Sequence, residues 1–339
     1  MRITRVVLLL LFVATSVSMR HLAAQSEWSV GQTFHVGGDG GWDYVTVDAQ
    51  SSRLFVTRTT HTLVLDADSG KILADIPGQK SAHGVAIVPA LNRGFISDGG
   101  GTGAIIVFDL KTYSVLGKLA AVPDTDGITY DAGSNLILAS AGDSSALLTF
   151  RPDIDPERGL IGAPIDLGGK PEFLAADGQG KAYVNLEDKD VVAVVDLKAR
   201  RVLAKWPVAP GGHPVALSID VRTHRIFVGC RNPQKLVVMN AESGKVEASI
   251  PIGAGVDAAA FSEGYAFASC RDGALIVAGE KDRKFGPIQT VKIPDGAKTL
   301  AVDAKTHRIY LPTAEFEPIT SGRPKAKPGT FMIVVVERH

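Results

Sequence analysis

Apolar residues along this chain come in short runs separated by Asp, Gly and Ser, and no segment holds the 3.6-residue period of a helix. One stretch shows the unit clearly. Glu172–Ala176 is an apolar run ended by the turn Asp177–Gly180. Lys181–Asn185, Asp190–Asp196 and Val202–Val208 follow, the middle one almost entirely Val. Valine runs of this length between turn residues predict buried strands, here four in succession, named a to d. The hairpin phrase Asp66-Ala-Asp-Ser-Gly70-Lys joins c to d in one unit, and Asn240-Ala-Glu-Ser-Gly244-Lys repeats it in another.

The unit recurs. The turn after strand a begins at Asp48, Pro89, Asp131, Asp177, Asp220, Ser262 and Asp303, at intervals of 41 to 46 residues. Seven four-stranded units at that period predict an all-β fold, a seven-bladed β-propeller with antiparallel blades. The last unit stops after strand c (Phe331–Val336), and the early piece Trp28–Val36 has no unit of its own. That piece is expected to supply the missing strand d and close the ring, which removes the free sheet edges.

Several units carry a further pattern: Ala182-Tyr-Val-Asn-Leu-Glu-Asp-Lys-Asp-Val-Val-Ala-Val-Val-Asp196, Leu54-Phe-Val-Thr-Arg58 and Ile226-Phe-Val-Gly229. They resemble the repeats of the YVTN/YncE-type family of exported bacterial propellers, over essentially the whole chain beyond residue 24. The resemblance implies the fold and not an activity. One branch of that family is implicated in DNA binding, and related propellers include lactonases and dehydrogenase subunits.

Charge and composition narrow the function. Lys+Arg and Asp+Glu both number 36. Arg2 and Arg5, the apolar run Val6–Ala14 and the small residues Ala23 and Ala24 read as a signal peptide over 1–24, with an uncleaved anchor as the alternative. The remaining 25–339 is read as one propeller domain with formal charge −3. That speaks against nucleic acid, including the DNA-binding idea. A periplasmic or secreted monomer, off the membrane after cleavage, is expected. No cofactor is expected. Asp98-Gly-Gly-Gly-Thr-Gly103 lacks the Lys and helix of a phosphate loop, and no nucleophile elbow is present.

The repeat alignment places candidate chemistry at one opening of the channel. At the start of strand a stand Asp43, Asp126, Glu172, Asp257 and Lys298, with Trp42, His83 and His213 beside them. Arg58 falls in the b–c loops of the same face, and Arg231 and Arg271 follow Cys230 and Cys270 there. Three readings are open for this ring. It is a solvated rim, or a binding site for a small polar ligand or a peptide, or an acid/base or metal site of a hydrolase or lyase (lactonase-like). Asp43, His83 and Asp126 are the metal candidates. Carboxylates outnumber bases in the inner ring, so a cationic ligand is expected, with Trp42 available for a cation–π contact. An arginine cluster would instead clamp an anion. The binding or scaffold reading is preferred to the enzyme. Cys230 and Cys270 are expected to be free thiols. The long b–c connection Pro312–Gly329 of the last unit is expected to fold over the same mouth. His224 and His307 are read as turn residues of the opposite face.

Overall fold

The computed structural model describes residues 27–318 and 324–339. Segment 1–24, read above as a leader, lies outside the described residues. So does Arg323 of the blade 7 loop.

Seven four-stranded antiparallel sheets form a seven-bladed propeller. The predicted strands of the fourth unit appear as Pro171–Ala176, Lys181–Leu186, Val191–Asp196 and Arg201–Pro207. The recurring Asp after strand a earns its place through its carboxylate. Asp48 accepts from the Gln50 N–H at 3.0 Å, and Asp303 from the Lys305 N–H at 2.7 Å, each closing the turn. Pro89 stands at that position in blade 2 and opens a short 3₁₀ turn, Pro89–Leu91, instead. The irregular interval before blade 4 reflects an insertion between strands c and d of blade 3, whose outer strand shrinks to Ile165–Asp166.

Ring closure is as the sequence predicts. Trp28–His35 pairs antiparallel with Met332–Arg338 and completes blade 7 as its outer strand. The Gln289 side chain of blade 6 stitches that strand to its neighbour. Its Oε1 accepts from Trp28 N at 2.9 Å and its Nε2 donates to Trp28 O at 2.7 Å.

The core is divided into layers between blades. Each apolar cluster joins two adjacent sheets. Trp28 and Phe267 pack edge to face between blades 6 and 7, and Phe55 meets Phe108 between blades 1 and 2. The seam between blades 7 and 1 is packed in the same way, by Phe331, Ile333 and Val335 against Leu54 and Val56.

One irregularity positions the functional face. In blades 2 to 6 the register of strand a against strand b slips at the start of strand a. Blade 1 shows the same arrangement: Asp43 N donates to Thr57 O, and Thr57 N donates to Tyr44 O. These are β-bulges, which re-aim side chains. The bulged residues include Asp43, His83, Asp126, Glu172 and Asp257. Polar residues of strand b tie the bulged backbone to the next blade. Thr57 Oγ1 donates to His83 O at 2.7 Å, Asn185 Nδ2 to Ala216 O at 3.0 Å, and Ser269 Oγ to Lys298 O at 2.6 Å.

Candidate functional site at the channel mouth

The bulged residues make a connected charged ring. His83 Nδ1 donates to Asp43 Oδ2 at 2.8 Å and lies 3.4 Å from Asp126 Oδ1. Lys298 Nζ is 3.4 Å from Asp43 Oδ1 and also pairs with Asp257. Arg231 pairs with the other oxygen of Asp257 and donates from Nε to Val256 O at 3.1 Å. A second group continues the ring in blades 4 and 5. Glu187 accepts from Lys170 Nζ at 2.8 Å, lies 3.0 Å from His213 Nε2, and is hydrogen-bonded to Glu172.

Proton affinities follow from this arrangement. Burial would lower the His83 imidazole, but its hydrogen bond to Asp43 and the charges of Asp126 and Asp43 outweigh burial and raise it to about 9. Burial opposes Asp43 as a carboxylate, but His83 and Lys298 hold its carboxyl below the usual value. Asp126 is pushed up to about 7, first by burial and then by the charge of Asp43, against the opposing pull of His83. Glu172 rises to about 8 through burial and the nearby charges of Asp126 and Glu187. Glu172 and Glu187 thus share a proton, with Glu172 as the donor.

Below the ring, Tyr44 of blade 1 and Phe173 of blade 4 meet across the channel, ring centroids 5.0 Å apart. Burial, and then the charges of Asp126, Asp43, Asp257 and Glu172, raise the Tyr44 phenol well above its usual value. Sequence reasoning missed Tyr44, Phe173, Lys170 and Glu187.

Beside the ring lies a cavity of about 1130 Å³ over blades 6, 7 and 1. The blade 7 loop forms one wall with Phe316 and residues 324–328, and Gly38–Trp42 and Phe331 form another. Lys298 belongs to both the ring and the cavity. The described parts of the loop are ordered by a short antiparallel ladder. Phe316 bridges Ala326, Glu317 N donates to Lys325 O at 2.9 Å, and Lys327 Nζ pairs with Glu315 at 3.0 Å. Trp42 packs against Phe316 and Phe331, at 6.1 and 5.3 Å between ring centroids. Its buried Nε1–H has no hydrogen-bond partner among the described residues.

The three arginines part ways. Arg271 lines the cavity and is exposed. Arg231 is held by the ring. Arg58 corrects the expectation of an arginine cluster, because only 2% of it is exposed. Its guanidinium is spent on backbone carbonyls: Nε donates to Gly41 O at 3.0 Å, Nη1 to Gly37 O at 3.3 Å, and Nη2 to Asp39 O at 2.8 Å. Arg58 therefore shapes the cavity wall from behind and does not reach a ligand. The cationic-ligand expectation also shifts. Asp43 and Asp257 are already paired, and the cavity lining mixes Arg271 and Lys325 with Asp39, Asp272 and Asp295.

Cys230 and Cys270 are free thiols, both fully buried. His224 and His307 sit at turns with positive φ, beside Glu242 and Glu263 respectively.

Comparison with solved structures agrees with the architecture. The WD40 repeats of RRP9 superpose with a TM-score of 0.76 at 9% identity, over 92% of this chain and 100% of that one. The fold is that of the WD40-like seven-bladed propellers. The WD40 propeller domain of Doa1 matches at a TM-score of 0.71 and 10% identity, over 91% of this chain and 97% of its own. Hydrazine synthase of Kuenenia stuttgartiensis matches at 0.65 and 14%, over 82% and 94%. No protein-family model and no curated protein matches the chain. At these identities the likeness concerns the fold alone.

Proposed function

We propose that this chain is a ligand-binding propeller of the YVTN/YncE type, exported to a periplasm or beyond. Its ligand occupies the cavity between the blade 7 loop and the charged ring. The observation that carries this reading is that cavity: about 1130 Å³, on the face where the bulges gather the ring, and sharing Lys298 with it. Trp42, Phe316, Ala314 and Pro328 offer apolar wall, and Arg271, Asp272 and Asp295 offer polar contacts. Such a lining suits a small molecule or peptide side chain with a polar end and an apolar body. Export rests on the pattern of residues 1–24 and family membership on the repeat phrases around Tyr183 and Phe55.

The experiment is a thermal-shift screen of small polar molecules and short peptides against the chain from residue 25. A second form replaces 314–330 with a short turn. Ligands of the cavity shift the first protein and not the second. Equal shifts in both, unchanged by Asp126→Asn with Glu172→Gln, would move the site away from this face.

One observation favours a second reading, a metal- or carboxylate-dependent hydrolase or lyase. Asp126 and Glu172 are proton donors near neutral pH, the state a general acid needs. Turnover of an ester or lactone that disappears in the double variant would establish that alternative.

A further inference from the structure

The Asp43, His83 and Asp126 side chains come from the inner strands of three consecutive blades, held at bulged positions of a rigid ring. Each offers one donor atom, and the three atoms lie within 4.8 Å of one another. One of the separations already matches a coordination shell and a second falls about 0.2 Å short of it. Nδ1 to Oδ2 is 2.8 Å and Nδ1 to Oδ1 is 3.4 Å. Donors about 2.1 Å from one ion stand roughly 3.0–3.4 Å apart on neighbouring corners of an octahedron or tetrahedron.

Two independent features mark these atoms as ligands in waiting. The first is Asp126 Oδ1, which is buried from solvent, accepts no hydrogen bond, and faces the His83 ring nitrogen. A buried acceptor with no donor is costly unless something fills the role. The second is the outer support of the set. His83 Nε2 lies 3.2 Å from Ser81 Oγ, and the free oxygen of Asp43 is held by Lys298. Supports of this kind orient ligands at metal centres.

We propose that Asp43 Oδ2, His83 Nδ1 and Asp126 Oδ1 bind one first-row divalent transition ion, of the zinc, cobalt or manganese class. The ion takes the place of the Nδ1 proton between the two carboxylates. Two carboxylates and a neutral imidazole balance its charge. The imidazole nitrogen selects such ions over calcium and magnesium, which prefer all-oxygen shells. Three protein donors leave coordination positions open towards the channel mouth. The site shares the ring with the binding reading above but rests on different side chains from the cavity lining.

The test uses the chain from residue 25, stripped with chelator and titrated with Co²⁺ and Zn²⁺ by calorimetry and by visible absorption of bound Co²⁺. One ion per chain is expected. His83→Gln and Asp126→Asn should each weaken it at least about tenfold, and Ser81→Ala by roughly tenfold through lost support of the imidazole. A control variant, His224→Gln with His307→Gln, removes imidazoles of the opposite face and should change nothing. Melting curves confirm that each variant is folded. No ion on the wild type, or equal affinity in His83→Gln and Asp126→Asn, overturns the proposal. The cavity screen is run on both stripped and loaded protein. A ligand without an ion leaves the binding reading standing and sinks this one, and an ion without a ligand does the reverse.

Discussion

The guanidinium carbon of Arg58, in blade 1, lies 3.9 Å from the centre of the Phe331 ring, in blade 7. The two blades meet at the seam where the chain closes, and this contact crosses it. A buried arginine is tolerated there because its donors meet backbone carbonyls of the Gly37–Gly41 connection.

Arg58→Ala should therefore cost about 3 kcal/mol or more, since hydrogen bonds to a charged group contribute about 1.5–3 kcal/mol each and the fully buried side chain leaves a void against Phe331. Arg58→Lys should recover little of that loss, because an ammonium cannot reproduce the planar fork. Urea denaturation of the three proteins checks both points. A lysine variant as stable as wild type would show that the fork geometry is immaterial.

Removing residues 28–36 should cost several kcal/mol, because Met332–Arg338 becomes an unpaired edge and Gln289 loses both partners on Trp28. Thermal melting of the shortened chain reads the loss directly. Gln289→Ala isolates the stitching alone and should cost about 1–3 kcal/mol.

The Glu172 carboxyl is raised from its ordinary value to about 8 in the folded protein. A carboxyl raised on folding contributes stability that is fully present below its unfolded value, near 4.5, and is lost as pH climbs to about 8. Metal-free wild type should therefore lose stability between pH 5 and pH 8 relative to Glu172→Gln, which cannot ionise. Above pH 8 the variant should be the more stable protein. Denaturation midpoints across this range measure the crossover, and parallel curves would mean that Glu172 titrates normally.

The two thiols are pushed up to about 12 by burial, so neither is a nucleophile in the folded protein. Native, unreduced protein should react negligibly with a thiol reagent. The same protein in denaturant should take up two equivalents. Uptake only after reduction would reveal a bridge between Cys230 and Cys270.

The sequence made the blades legible because each strand-and-turn unit repeats a local rule: an apolar run, then an Asp whose carboxylate folds the turn. Closure was legible because one strand was missing at one end and one was spare at the other. The ring was half legible. Alignment of the repeats marked Asp43, His83, Asp126, Glu172, Asp257 and Lys298, but a bulge has no compositional mark, so the pairing of these side chains with one another was not foreseeable. Glu187 and Lys170 lie outside the aligned position and join the ring only through space. Arg58 misled for a different reason. Its place in the repeat matches loop residues of the same face, yet the glycine-rich connection 37–41 offers carbonyls that draw the side chain inward. Thr57 and Asn185 sit in the repeat phrases themselves, and their side chains fasten one blade to the next.

The Tyr44 and Phe173 rings give the charged ring a floor. A propeller axis left open would be a tunnel, with two entrances and room for a chain to thread. Two rings in contact across it, from blades 1 and 4, narrow that passage beneath the ring. Lys298 stands both in the ring above this narrowing and in the cavity wall, so a molecule seated in the cavity touches the same charge network that surrounds the axis.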